Sequence, residues 1–265
     1  MNDINELLLP LLWFALLGGG FGLVLAIAAR AFAVKQDERI PKITEVLPGA
    51  NCGGCGYSGC AAYAEAVCRG EASPGRCAAG GTAVSEAIAA IMGVEATPMA
   101  DYCARILCCG DCDTAQAKYR YEGAPDCAAA TRLGGGQKAC LAACVGLGSC
   151  AAACPFGAMT VKNGLAEVDP ARCCGCGTCL SACPKHLIHL LPRTASYAVL
   201  CSSGASGKET RTVCEAGCIG CRICEKKCEA GAIRVENNLA TINHDLCTGC
   251  GACAEACPRR IIKKL

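Results

Sequence analysis

The chain has 265 residues, 29 of them cysteine and only 4% aromatic, with a formal net charge of +2 at pH 7. That balance leaves no electrostatic footprint for nucleic acid. The odd cysteine count and the tight Cys-x-x-Cys-x-x-Cys runs argue against a disulfide scaffold. With so few large side chains, much of the folding free energy must come from metal–thiolate bonds.

From Leu7 to Ala29 there are 23 residues without a charge, enough to cross a bilayer core. Asp3 and Glu6 precede this run, and Arg30, Lys35, Arg39 and Lys42 follow it. The positive-inside rule then puts the N-terminus outside and the bulk of the chain in the cytoplasm, on the inner (cytoplasmic) membrane. A signal peptide carries its cations in front and a small-residue cleavage site behind, and neither is present. Residues 1–34 therefore read as a single-pass transmembrane anchor, and Pro10 with Gly18–Gly20 suits packing against partner helices.

Residues 35–100 read as a small helical cysteine module. NCGGCGYSGC sets Cys52, Cys55 and Cys60 around a glycine-rich turn, with Cys77 further on. Glycine allows the positive φ and close backbone approach that wrapping a cluster needs. An iron–sulfur cluster and a Cys₄ zinc knuckle both remain open here, although the x2/x4 spacing is less usual for zinc. AAYAEAV predicts a short helix after Cys60, and SEAIAAIM predicts another that starts at Ser85. Residues 101–135 read as a connector whose cysteines match no simple template.

The C-terminal half carries the clearest signal, predicting an α+β fold of two tandem bacterial 2[4Fe–4S] ferredoxin-like modules, 136–195 and 196–265. Cys173, Cys176, Cys179 and Cys183-Pro184 form C-x2-C-x2-C-x3-C-P, as do Cys247, Cys250, Cys253 and Cys257-Pro258. Cys218, Cys221, Cys224 and Cys228 repeat the spacing, with Glu229 in place of proline. In such runs the fourth cysteine ligates the other cluster of the pair. A fourth run, Cys140, Cys144, Cys150 and Cys154-Pro155, has irregular gaps. It is assigned on an internal repeat: residues 154–173 align without gaps to 228–247, eight of twenty positions being identical at a constant offset of 74. Inside each copy, two β-branched runs flank Asn-Gly or Asn-Asn, the mark of a β-hairpin.

The crossover rule then predicts four ligand sets: Cys140, Cys144, Cys150, Cys183; Cys173, Cys176, Cys179, Cys154; Cys218, Cys221, Cys224, Cys257; and Cys247, Cys250, Cys253, Cys228. All-thiolate sets in this spacing favour [4Fe–4S] clusters. Zinc ribbons use two Cys-x-x-Cys pairs instead of triplets closed by Cys-Pro.

With these motifs in order, the chain resembles the RnfB (RsxB) family, the B subunits of Rnf complexes, in a longer form with a second ferredoxin module. The resemblance spans nearly the whole length: anchor, then CxxCxxxxC…C, then Cys-Pro repeats. It implies an iron–sulfur electron-transfer component of an ion-pumping ferredoxin:NAD⁺ oxidoreductase. Such a component takes electrons from reduced ferredoxin and passes them to membrane partner subunits. It also implies a [4Fe–4S] cluster on Cys52, Cys55, Cys60 and Cys77, making five in all. The irregular Cys140–Cys150 spacing and Glu229 depart from the pattern.

Nine cysteines are left over: Cys68, Cys103, Cys108, Cys109, Cys112, Cys127, Cys174, Cys201 and Cys214. Two readings stand for Cys108, Cys127, Cys201 and Cys214, which flank the modules: ligands of a sixth cluster, or buried small apolar side chains. Arg222, Lys226, Lys227, Arg259, Arg260, Lys263 and Lys264 flank the second module, and read either as a docking face for an acidic ferredoxin or as a solvated basic face. No nucleophile–base constellation is present, so there are no catalytic side chains. The competing functions are a ferredoxin-type component of another membrane redox complex, a membrane-bound redox sensor, and a zinc-dependent scaffold. Repeated cluster pairs favour a wire, since a sensor needs one cluster.

Overall fold

The computed structural model describes residues 2–32, 37–96 and 101–265. Lys35, one of the cations expected behind the anchor, lies outside them. Helix α1 (Asn2–Ala31) carries the apolar run. Its described side chains from Leu11 onward are largely uncovered: Trp13 is 60% and Phe14 76% exposed. Among the described residues it is the one helix long and apolar enough to cross a membrane. So much uncovered apolar helix surface is costly in water.

Three short helices, α2 (Arg39–Val46), α3 (Cys60–Cys68) and α4 (Gly81–Met92), make the next unit. Helices this short are marginal alone, and they are held by a shared core of Ile43, Tyr63, Val67 and Ile88. Helix α3 forms where AAYAEAV predicts it, its first N–H (Cys60) donating to Asn51 Oδ1 at 2.8 Å. Helix α4 begins four residues before Ser85, so Ser85 is buried within it with an unpartnered hydroxyl. The preceding Thr-Ala-Val continues the helix, and the break falls at Gly80–Gly81 instead. Tyr63 Oη donates toward the carbonyls of Ser73 and Pro74, both at 2.8 Å, and accepts the N–H of Arg76. This fixes the turn that delivers Cys77. Tyr63→Phe is expected to destabilise the holo protein by about 1–2 kcal/mol; an unchanged urea midpoint would refute that role.

The remaining chain forms two units of one design. The first comprises β1 (Tyr102–Ile106), α5 (Cys127–Arg132), α6 (Ser149–Ala152), β2 (Met159–Lys162), β3 (Leu165–Val168), α7 (Thr178–Ala182) and β4 (Ile188–Pro192). The second comprises β5 (Tyr197–Val199), α8 (Gly207–Val213), α9 (Ile223–Lys227), β6 (Ile233–Glu236), β7 (Leu239–Ile242), α10 (Ala252–Glu255) and β8 (Ile262–Lys264). Both predicted hairpins are present, β2 pairing with β3 and β6 with β7. Their turns have positive φ at both central residues, +45° and +67° at Asn163–Gly164 and +47° and +62° at Asn237–Asn238, as a type I′ turn requires.

In each unit the first strand pairs antiparallel with the last: β1 with β4 (Ala104 opposite Leu190) and β5 with β8 (Ala198 opposite Lys263). Strand β1 falls in the stretch read from sequence as a connector, yet it forms a two-stranded sheet with β4 of module one. Cysteines are part of the packing: Cys150 and Cys179 are buried in the first core, and Cys218, Cys224 and Cys253 in the second.

Candidate metal centres

Four cavities of similar size are walled by cysteine. They hold about 390, 360, 340 and 320 Å³ of space free of atoms, part of it open to solvent. One is lined by Cys52, Cys55, Cys60 and Cys77, the set expected from the glycine-rich turn. A second is lined by Cys154, Cys173, Cys176 and Cys179, and a third by Cys218, Cys221, Cys224 and Cys257. Both are crossed sets, with the lone cysteine coming from the opposite run. Cys247 and Cys228 each lie close enough to Cys253 to act on it electrostatically, and Cys250 stands exposed in the same run.

The remaining cavity differs from the expected set. It is lined by Cys127, Cys144, Cys150 and Cys183, and Cys140 is not in its wall. The offset of the internal repeat explains the substitution. Cys144, Cys150 and Cys154 correspond to Cys218, Cys224 and Cys228, while Leu147 stands where module two has Cys221. Cys127, at the start of α5, fills the vacancy from the connector. Asp126 caps α5 by accepting from Ala129 N–H and also accepts from the Ser149 hydroxyl on α6, at 2.8 and 3.0 Å. The Cys127 N–H donates to Ser149 Oγ at 2.8 Å. These bonds hold α5 against α6 and bring Cys127 beside Cys150.

The sulfurs receive backbone donors in a repeated way. Ala158, Leu187 and Ala232 N–H point at the Sγ of Cys154, Cys183 and Cys228, four residues earlier in each case, at 3.3–3.5 Å. Such donors stabilise negative charge on the sulfurs and raise a cluster's reduction potential. Burial pushes the free thiols the other way: Cys150 and Cys224 up to about 11 and Cys179 to about 12. These sites hold thiolates only opposite a strong cationic charge such as bound iron. Cys176 is the exception, held down at about 5 chiefly by a hydrogen bond from the Cys174 thiol.

Among the described residues, no group of three or more Cys, His, Asp or Glu side chains converges closely enough to hold a single ion. The thiols ring voids instead. Soft thiolates around an apolar void of this size fit a polynuclear iron–sulfur cluster and not a lone zinc ion.

The first two centres abut. Cys176, a wall residue of the second, also lines the Cys52 cavity. The Thr178 hydroxyl donates to the Cys52 carbonyl at 3.1 Å, and a Cβ on Gly54 would stand 2.5 Å from the Cys176 carbonyl oxygen. Only glycine permits that approach. Of the basic residues around module two, Arg222, Lys226, Lys227, Arg260, Lys263 and Lys264 are exposed. Arg259 turns inward, and its Nη2 donates to the Cys214 carbonyl at 2.6 Å.

Paired antiparallel hairpins with crossed cysteine sets define a ferredoxin-type iron–sulfur protein. Family models agree: "Putative Fe-S cluster" matches residues 47–79, "4Fe-4S binding domain" 166–189 and "4Fe-4S dicluster domain" 217–262. The chain is 41% identical to the B subunit of the ion-translocating oxidoreductase complex of Methanosarcina acetivorans, over 93% of this chain and 94% of the relative. It is 42% identical to the B subunit of the Na(+)-translocating ferredoxin:NAD(+) oxidoreductase complex of Acetobacterium woodii, over 98% and 78%. Identity is likewise 42% to the B subunit of the proton-translocating ferredoxin:NAD(+) oxidoreductase complex of Clostridium ljungdahlii, over 99% and 94%. The chain belongs to this family, the B subunits of ion-translocating (Rnf-type) oxidoreductase complexes.

Proposed function

We propose that this chain accepts electrons from reduced ferredoxin at module two and relays them through [4Fe–4S] clusters to membrane partner subunits of a ferredoxin:NAD⁺ oxidoreductase. Helix α1 would be a single span, with the bulk of the chain on the cytoplasmic side. When bound, each cluster supplies a site that holds one electron; the chain's own residues set where those sites lie. The proposed ligand sets are Cys52, Cys55, Cys60, Cys77; Cys154, Cys173, Cys176, Cys179; Cys127, Cys144, Cys150, Cys183; Cys218, Cys221, Cys224, Cys257; and Cys228, Cys247, Cys250, Cys253.

The contact of Cys176 with the Cys52 cavity carries the reading. It joins the helical module next to the anchor with the ferredoxin-like modules, as a relay toward the membrane requires and a set of isolated sensor clusters does not. The outer end is marked by exposure, since Cys221 and Cys250 are the exposed members of the proposed sets. Near them along the chain stand exposed apolar side chains, Ile223 at 40% and Leu246 at 55%, and the exposed cations Arg222, Lys226 and Lys227. An apolar centre with a basic rim suits an acidic partner.

The test is stopped-flow reduction of the full-length protein by an acidic ferredoxin. The bimolecular rate is expected to fall about tenfold or more between low and 0.3 M salt, as steered encounters do. A rate indifferent to salt and to Lys226→Glu/Lys227→Glu would remove module two as the entry face. Zinc without iron in the purified protein would remove the electron-transfer reading altogether.

A further inference from the structure

Cys140 is displaced from module one, and the place it takes is informative. At the repeat offset of 74 it corresponds to Cys214, which is buried. Cys108 and Cys201 are a second corresponding pair. Each stands two residues beyond the first strand of its module, after a leucine whose N–H extends the sheet: Leu107 to the Leu187 carbonyl, and Leu200 to the Ile261 carbonyl. Each sulfur accepts an equivalent N–H, Cys108 from Cys144 at 3.5 Å and Cys201 from Cys218 at 3.3 Å. The two pairs are thus related by the same pseudo-symmetry as the modules.

The connector brings the four together. Its residues 114–118 run between the two modules. On one side Gln116 N–H bonds the Val213 carbonyl and Glu215 N–H the Thr114 carbonyl; on the other, Ala139 N–H bonds the Gln116 carbonyl and Lys118 N–H the Gln137 carbonyl. Cys214 and Cys140 are therefore held on opposite sides of one narrow strip. Cys140 lies near enough to Cys201 and Cys214 to act on both electrostatically. A Cβ at Gly110 would stand 3.2 Å from Cys214 Sγ and 3.8 Å from Cys108 Sγ, so the space between those sulfurs is kept open by a missing side chain. Cys109 is at hand too, but its Sγ is turned to the carbonyls of Leu200 and Ala216, at 3.2 and 3.3 Å.

We infer that Cys108, Cys140, Cys201 and Cys214 form a sixth iron–sulfur site, shared by the two modules, with Cys127 and not Cys140 completing the site of module one. This rests on the proposed relay and deepens it. A site built half from each module is the link through which electrons from module two reach module one.

The test uses full-length protein, purified anaerobically, reconstituted to saturation, and assayed for iron, sulfide and zinc with EPR of the reduced state. Six sites predict about 24 iron atoms per chain and five about 20. Cys201→Ser and Cys214→Ser are each expected to lose about four iron atoms while the spectra of the other clusters remain. Cys109→Ser should lose none. Cys127→Ser combined with Cys214→Ser should lose about twice the iron of either alone. A saturated wild type with about 20 iron atoms, or Cys201→Ser and Cys214→Ser at wild-type content, overturns the inference and leaves the five-site relay standing. A wild type holding zinc instead overturns both.

Discussion

Stripping iron with a chelator under anaerobic reducing conditions is expected to unfold both ferredoxin-like modules and to leave much of the helical module between Arg39 and Met92 in place. The strands of the two modules have three to five residues and their helices four to seven. Such elements lack independent stability. Their cores interleave aliphatic side chains with the cysteines themselves, so removing the metal leaves cysteine-walled cavities open where thiolate bonds had joined distant segments. Metal-ligand free energy of this kind can exceed about 10 kcal/mol per site, comparable to the stability of a whole domain. The helical module has longer helices, α3 of 9 residues and α4 of 12, packed around Ile43, Tyr63 and Ile88. Amide exchange of apo and holo protein separates the two cases. Protection retained in β2–β3 and β6–β7 without iron would show that the hairpins are held by their own packing.

Lys138→Met is expected to lower both stability and potential. Lys138 is 4% exposed, and its Nζ donates to the carbonyls of Gly110 and Gly164, both at 2.7 Å. It ties the connector to the hairpin turn of module one, and its charge acts on Cys108 and Cys144. Methionine fills the volume but leaves two buried acceptors without donors, a loss of about 2–4 kcal/mol. Its neutrality also removes a cation that favours the extra electron on nearby iron–sulfur sites. The measurements are the denaturation midpoint of the holo protein and a spectroelectrochemical titration. Equal midpoints in both would assign the lysine to space filling alone.

Much of this architecture is legible in the chain. The Cys-x2-Cys-x2-Cys-x3-Cys runs, the hairpins at Asn163–Gly164 and Asn237–Asn238 and the anchor all rest on local patterns, and local patterns survive in one dimension. What escapes is what the fold assembles from afar. Strand β1 is five residues whose partner lies far downstream, so no turn signal announces it. Cys127 enters, through space, the wall of the cavity for which the repeat offers only Leu147 in sequence. A signal for it is nonetheless present: extending the offset of 74 beyond residue 154 sets Leu147 opposite Cys221 and Cys140 opposite Cys214. The repeat is a better guide there than the count of cysteines in a row. Arg259 shows the same limit, for a charge beside other charges reads as surface until its carbonyl partner is seen.

The pairing of first strand with last has a consequence for biosynthesis. A nascent module cannot close while it is being translated: β1 leaves the ribosome early but waits for β4, and β5 waits for β8. The connector cannot settle between the modules before Val213 has emerged. Non-local closure of this kind is slow and exposes unpaired edges, here on a chain rich in reactive thiols. Each module can therefore take up its iron in native geometry only after its last strand has emerged, and until then its thiols stand unpaired.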